Sequence, residues 1–394
     1  MKAMAGAFAA SGPKLRLVYI VTEDWFFVTH FLPMARAAQR AGFEVVVVTR
    51  VQEHRAAIEE EGFRVVTLRA DRGSFAPTKL LGTVLRLRRI LETEKPDLVH
   101  AIALKSVVLG GIAARMSNSP AQVLSITGLG YLWSSDGLMQ RLARILVRRL
   151  VARFARAGNT RFTLENPDDL TDLGLGAKAS VIGGWGVDLN ALKPSDRPQQ
   201  PPLRIAYLGR MLRSKGIADA VEAVRRARAM GVEVELDLWG VPDAGNLTSH
   251  TTEELEKFAA TAGVAWRGRA PEVSGVWSRA HIAILLGQRE GMPRSLIEAA
   301  ASGLPMIATD VPGCRSIVRD GVDGFLVPSG DPDAAAKAIA RLASDEPLRE
   351  RMGAAARLGF EARFTTDAVV PRIVNLYLEL THRPGFAPAA IPVP

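Results

Sequence analysis

Apolar residues fall along this chain in short runs separated by amphipathic stretches. Leu15 to Val21 is a β-rich run, followed by a loop over 22–29 and a helix-like stretch from about Phe31 to Arg40 that Gly42 ends. Glu44 to Thr49, Val65 to Leu68, Leu98 to Ile102 and Val123 to Thr127 read as further strands, and Ser106 to Met116 as a small-residue helix. Arg161 to Leu164 and Ser180 to Ile182 are weaker strand candidates, and Leu138 to Ala157 has the period of a helix. Pro194, Pro198, Pro201 and Pro202 then break the pattern, making 193–202 a polar linker. Beyond it the pattern restarts: strand Leu203 to Leu208, helix Ile217 to Met230, strand Val234 to Leu238 and a helix near Glu253 to Ala262. A short strand around Ala265 to Arg267, strand Ile282 to Leu286, an Ala-rich helix ending at Gly303, strand Met306 to Ala308 and two final helices complete it. Strands alternating with helices imply right-handed crossovers and parallel sheets. The expected fold class is α/β in two units, 14–192 and 203–367. Loose ends are expected at 1–13 and 383–394, with a C-terminal helix at about 368–382 able to pack back on the first unit.

Composition narrows the class. The chain has 394 residues, too many for one ordinary core, and 48% hydrophobic with 23% charged residues suits a soluble globular protein. A single cysteine, Cys314, excludes a disulfide framework and a cysteine-rich metal site and fits a reducing compartment. No apolar run approaches the roughly 20 residues that span a bilayer. Residues 1–13 read as a loose terminus rather than a signal peptide. A cytoplasmic location is expected.

The net charge of +9 is uneven: residues 1–190 hold 25 Lys and Arg against 17 Asp and Glu, the remainder 25 against 24. The first unit is therefore the one expected to face something anionic. Leu138 to Ala157 interleaves Arg141, Arg144, Arg148, Arg149, Arg153 and Arg156 with Leu, Ile, Val and Phe. Near an anionic leaflet each contributes about 1 kcal/mol. The expectation is peripheral docking of helix 138–157 on the inner face of a membrane; the plain alternative is a soluble amphipathic helix that snorkels its charges. Without interleaved exposed aromatics or a recognised motif, the charge does not point to nucleic acid.

The chemistry concentrates at 289–305. Glu290, in a Gly/Pro loop, and Glu298, in a first helical turn, are expected at the carboxyl end of one strand, where open α/β sheets bind ligands. Two carboxylates in a cleft suggest an acid and base pair. Other features argue for an anion instead. The turn after Val21 lacks the dinucleotide glycines, and Gly128-Leu129-Gly130-Tyr131-Leu132-Trp133 has Trp where the third glycine would pack. Arg210 and Lys215, at the end of the second unit's first strand, suit a diphosphate. The helix starting near Ser295 offers backbone N–H groups. Ser295-x-x-Glu298 is also a capping box, whose plain role is to start that helix.

Gly209-Arg210, Lys215-Gly216, Arg289-Glu290-Gly291, Glu298-Ala299, Thr309 to Cys314 and Asp320 to Pro328 together resemble the large retaining glycosyltransferase family 4, of the two-Rossmann-domain GT-B fold. The resemblance implies a donor domain at 203–367 and an acceptor domain at 14–192. It implies that Arg210 and Lys215 hold the diphosphate of a nucleotide-diphospho-sugar and that Glu298 accepts from the ribose. Glu290, with Gly291, Met292, Pro293 and Arg294, would contact the donor sugar. No metal or resident cofactor is implied. His30-Phe31, Val99-His100, Lys105 and Thr127-Gly128 resemble a branch that extends undecaprenyl-diphosphate-linked sugars, commonly from UDP-N-acetylhexosamines. It implies acceptor contacts at His30, His100, Lys105 and Gly128, with Glu290, His100, Arg210 and Lys215 as the catalytic set. The rivals are a UDP-N-acetylhexosamine epimerase of similar fold, which would turn over without an acceptor, and a non-catalytic nucleotide-sugar-binding partner, which would bind UDP without transfer.

Overall fold

A computed structural model of the chain describes residues 14–69, 76–134, 137–243, 245–246 and 248–382. The first unit carries strands β1 (Leu15–Glu23), β2 (Phe43–Arg50), β3 (Arg64–Thr67), β4 (Leu98–Ile102), β5 (Gln122–Ile126), β6 (Thr160–Leu164) and β7 (Ala179–Val181), ordered β3-β2-β1-β4-β5-β6-β7. The second carries β8 (Leu203–Leu208), β9 (Val234–Trp239), β10 (Val264–Gly268), β11 (Ile282–Leu285), β12 (Met306–Thr309) and β13 (Gly324–Val327), ordered β10-β9-β8-β11-β12-β13. All their pairings are parallel. Both sheets reverse direction of winding beside their first strand, at β1/β4 and β8/β11. Those are the switch points where a crevice opens at the carboxyl edge. Central strands β4 and β5 are buried at every position, as a sheet covered on both faces requires.

Three expectations change. The stretch 22–29 is not a loop: β1 runs to Glu23, and a helix spans Asp24–His30. Its start is fixed from a distance, because the fully buried Asp24 carboxylate accepts the N–H groups of Trp25, Gln52 and His54. Strand β13 was not expected from the pattern; four residues between Asp323 and Pro328 are too few to show a period. Among the described residues three helices follow β13 rather than two: Pro332–Ser344, Glu346–Arg363 and Thr366–Leu380. Side-chain caps divide them. Asp345 Oδ1 accepts the Leu348 N–H at 2.9 Å, and Thr365 Oγ1 that of Ala368 at 3.2 Å.

The final helix crosses back to the first unit. Val369, Ile373, Val374 and Tyr377 are buried in one apolar cluster with Leu17, Tyr19, Phe31 and Trp185. The chain therefore passes twice between the units, and the passages are tied together: Val187 N–H donates to Phe364 O at 2.9 Å, and Thr366 N–H to Val187 O at 3.0 Å.

Tyr377 anchors that return. Its hydroxyl lies 2.7 Å from His100 Nδ1 and 3.1 Å from the Tyr19 hydroxyl, while His100 Nε2 meets Ser125 Oγ at 2.5 Å. Tyr377→Phe keeps the ring but strips a partner from two buried polar groups. It is expected to cost about 1–3 kcal/mol, read as a lower urea midpoint; an unchanged midpoint would show that the network does not secure the helix.

Candidate active site at the interdomain cleft

The second unit builds one wall from two strand ends. After β8 the chain makes a short turn, Arg213–Lys215, closed by Gly216 in a left-handed conformation (φ 69°). A Cβ there would stand 1.9 Å from the Leu286 carbonyl oxygen, so only glycine lets this turn lie against the end of β11. The close approach brings the Lys215 ammonium onto both oxygens of Glu290, at 2.8 and 2.6 Å. Glu290 is 5% exposed and Lys215 22%. Water is thus largely excluded, and each charge depends on the other. Arg210 is more open, at 47%, and its guanidinium meets Asp243 at 3.3 Å. Tyr207 supports it from below, donating its hydroxyl to the Arg210 carbonyl at 2.9 Å.

The loop 287–293 is pinned by its own unit. Thr309 donates its hydroxyl to the Gly287 carbonyl, and the Gly313 N–H donates to Glu290 O at 3.0 Å. Cys314 beside it is fully buried, and burial raises its thiol above the ordinary range. The helix that follows spans Arg294–Ala301 with Pro293 at its N-cap. Its first helical donor is Leu296, so the N–H groups of Arg294 and Ser295 precede the hydrogen-bonded ladder.

The capping box is not formed: Pro293 holds the N-cap position, so Ser295 lies inside the first turn and Glu298 two residues beyond the position that would close the box. Instead Glu298 is buried and accepts from Arg294 Nε at 2.7 Å. Burial pushes its carboxyl up from the usual range, and Arg294 opposes that shift. The same Arg294 reaches the first unit, donating to the Thr29 carbonyl and lying 3.3 Å from His30 Nδ1. His30 packs on Trp185 with ring centroids 4.9 Å apart. Burial, with the Arg294 charge second, pushes its pKa down to about 3, so it is a neutral imidazole at pH 7.

The first unit supplies the facing wall. Gly291 lies against Gly128 and the Thr127 carbonyl, and its own carbonyl accepts from Asn166 Nδ2 at 3.0 Å. Arg289 reaches across to Asp169 and Asp172, both at 3.1 Å, and Arg315 to Asp168 at 3.1 Å. His30, Gly128, Glu290, Gly291 and Arg294 therefore line one interface, with Lys215 behind Glu290 and Glu298 behind Arg294. Met292 is buried. Among the described residues no three His, Cys, Asp or Glu side chains group as metal ligands.

Two candidates lie elsewhere. His100 is a correction to the expected acceptor and catalytic contacts. It is fully buried in mid-strand, both ring nitrogens are engaged by Tyr377 and Ser125, and burial pushes its pKa down to about 3. It presents no exposed surface. Lys105 lines a separate cavity with Arg50 and Arg86 rather than the Lys215–Glu290 corner.

One residue of the interface was missed. Glu165 directly follows β6 and lies beside Gly291, with both carboxylate oxygens buried and without a hydrogen bond. Burial first, then the Asp169 and Glu290 charges, raise its carboxyl well above the ordinary range. A glutamate at a strand end, directly before Asn166-Pro167-Asp168-Asp169, was the available signal.

Gly291 has no room for a side chain. A Cβ would stand 2.8 Å from both Glu165 Oε2 and the Thr127 carbonyl, and 3.0 Å from Gly128 Cα. Gly291→Ala is expected to leave each sheet folded but hold the units apart. Small-angle scattering should then give a larger radius of gyration; an unchanged value would show that this contact does not govern closure.

Comparison with known proteins gives the family. A model described as glycosyl transferases group 1 matches residues 190–359, and one described as glycosyl transferase 4-like matches 16–157. The capsular polysaccharide biosynthesis glycosyltransferase CapM of Staphylococcus aureus is 24% identical, over 89% of this chain and 94% of that protein. The N,N'-diacetylbacillosaminyl-diphospho-undecaprenol alpha-1,3-N-acetylgalactosaminyltransferase of Campylobacter jejuni is 23% identical, over 89% and 95%. Among solved structures, sucrose-phosphate synthase from Thermosynechococcus elongatus superposes with TM-score 0.76 at 20% identity, covering 94% of this chain and all of that one. Anabaena HepE in complex with UDP and glucose gives 0.73 at 16%, covering 93% and 100%. Matched on each side of the cleft by a glycosyltransferase model, and built as two facing parallel sheets, the chain belongs to the family 4 type glycosyltransferases of the GT-B fold and is an enzyme of the hexosyltransferase type.

Proposed function

We propose that this enzyme is a retaining, metal-independent glycosyltransferase. It moves an N-acetylhexosamine or related sugar from a UDP-sugar to a lipid-linked glycan acceptor in cell-surface polysaccharide assembly. The observation that carries the reading is the Lys215–Glu290 pair, held at the β8/β11 switch point and roofed by the first unit. HepE, of like fold, is solved with UDP and with UDP-glucose, and the Campylobacter relative is named for a diphospho-undecaprenol acceptor.

In this reading Arg210 approaches the donor diphosphate from the open side and Lys215 from the buried side, and the N–H groups of Arg294 and Ser295 face the same charge. These groups stabilise the negative charge that develops on the leaving diphosphate, in a site where little water competes. Glu290 fixes Lys215 and presents its carboxylate to the donor sugar; Glu298 turns from Arg294 toward the ribose hydroxyls. The anomeric C–O bond to phosphate breaks and a bond to the acceptor oxygen forms on the same face. The acceptor proton passes to the departing phosphate oxygen, so no protein nucleophile is required. His30, neutral, and Gly128 border the acceptor side. Paired passages at Val187 and Thr366 provide the hinge for closure.

The test combines a UDP-, GDP- and ADP-sugar panel with Glu298→Gln. UDP-sugars are expected to transfer with retained anomeric configuration in the presence of EDTA. The variant should keep its stability within about 1 kcal/mol and lose roughly tenfold in UDP affinity, about 1.4 kcal/mol. Sugar turnover without an acceptor would instead favour an epimerase, and lost stability with intact UDP affinity would overturn the role of Glu298.

The same reading places the enzyme at the inner face of a membrane. No described helix is long and apolar enough to cross one. The helix Leu138–Ala155 nonetheless exposes Leu138, Met139, Leu142, Ile145 and Leu146 beside its arginines. A large apolar surface rimmed by positive charge suits an anionic bilayer. Flotation with anionic vesicles is expected at low salt and should weaken as salt rises; no binding at low salt would remove the membrane assignment.

A further inference from the structure

Glu165 is a buried acid that the transfer chemistry does not use. It belongs to the first unit, yet part of its cover belongs to the second: a Cβ on Gly291 would stand 2.8 Å from its Oε2. The residue is 4% exposed, and neither carboxylate oxygen has a hydrogen bond. With Thr163, Trp185 and Ile373 it lines a cavity of about 20 Å³, room for a single water. One water does not replace the hydration shell of a carboxylate, so the charged form is costly here. The surrounding charges act in the same direction. Asp169 faces Glu165 from the first unit and Glu290 from the second; burial first, then these two, raise its carboxyl well above the ordinary range. The nearby cations are committed elsewhere, Arg289 to Asp169 at 3.1 Å and Lys215 to Glu290 at 2.6 Å. The helices over the cavity contribute Met34 and Ile373, which carry no charge. His30 packs on Trp185 and His100 meets Ser125 on the cavity wall; burial pushes the pKa of both down to about 3, so neither supplies a positive charge.

We propose that Glu165 is a positioning residue whose neutral carboxyl lets the Glu290 loop seat against the first unit, so that joining the two walls of the cleft takes up one proton. It acts through Gly291 and touches no substrate. Part of its burial and one of its two like charges come from the other unit, so both are present only while the walls meet. When the walls part, Gly291 and Glu290 withdraw, water reaches the carboxyl, and it ionises in the ordinary range. The joined state therefore holds the proton more tightly. Its advantage is complete below the ordinary carboxyl range and is lost as pH rises through the raised value. Between the two, each pH unit shifts the ratio of joined to parted chains about tenfold, the effect of a single proton. The proton comes from solvent and returns to it. The link holds whichever nucleotide and sugar the enzyme uses.

The experiment is small-angle scattering and infrared spectroscopy of the full chain from mildly acid to mildly alkaline pH, in wild type and in Glu165→Gln. The amide keeps the shape without the titrating proton, which separates Glu165 from Asp169, whose carboxyl burial also raises. In wild type the infrared band of a neutral carboxylic acid, absent from the variant, is expected to persist above the ordinary carboxyl range. It should fade as the radius of gyration rises, while Glu165→Gln stays compact throughout. A wild-type radius independent of pH would overturn the proposal, as would the same rise in Glu165→Gln or a variant expanded at every pH. A wild-type band already lost in the ordinary carboxyl range would overturn it too. Should the variant fail to fold, wild type alone decides, because band and radius must change together. Neither readout uses donor or acceptor, so a chain that transfers no sugar refutes the functional reading and leaves the proton link standing.

Discussion

The close contact of Gly291 with Gly128 is the constraint on which the cleft depends. Two backbones meet there without side chains between them, and Asn166 fixes the register by donating to the Gly291 carbonyl. The loop carrying Glu290 is thereby held from both units at once. On its own side Thr309 and Gly313 grip Gly287 and Glu290; on the far side β6 and the residues after it provide the stop. Any change in the spacing of the two sheets must move this loop, and with it the Lys215–Glu290 pair.

Charge placement across the same contact is uneven. Glu165, Asp169 and Glu290 bring three acidic groups together, and Arg289 and Lys215 neutralise two of them. The third, Glu165, has neither carboxylate oxygen hydrogen-bonded, and burial raises its carboxyl well above the ordinary range. This division follows from physical cost: a buried carboxylate without a counter-ion is far less stable than its neutral acid. Arg294 meanwhile serves two masters, pairing with Glu298 in its own helix and with the end of the Asp24–His30 helix opposite. One guanidinium thus links the buried Glu298 to the contact between the units.

The two units are not independent chains of folding energy. The C-terminal helix leaves the second sheet and completes the core of the first, where Tyr377 satisfies both Tyr19 and His100. Both connections run beside each other and are hydrogen-bonded at Val187 and Thr366.

The sequence by itself determined the architecture's grammar. Alternating short apolar runs and amphipathic stretches, punctuated by glycine and proline, specified parallel strands with crossover helices and a break near 193–202. Local motifs also pointed to the strand-end corner where Lys215 and Glu290 meet. These signals are legible because period and turn chemistry act over a few residues. What only the tertiary structure decided was the partner of each side chain. The capping box that Ser295 and Glu298 spell does not form, and Glu298 accepts from Arg294 instead, because the helix starts at Arg294 and leaves Ser295 inside the turn. His100 reads as a cleft residue yet lies in the core, because a helix 277 residues later supplies its partner. Glu165 reads as an ordinary strand end yet sits against Gly291, more than a hundred residues away. Short-range patterning fixes where the chain goes; which charges meet depends on packing between segments far apart, and no local spacing encodes that.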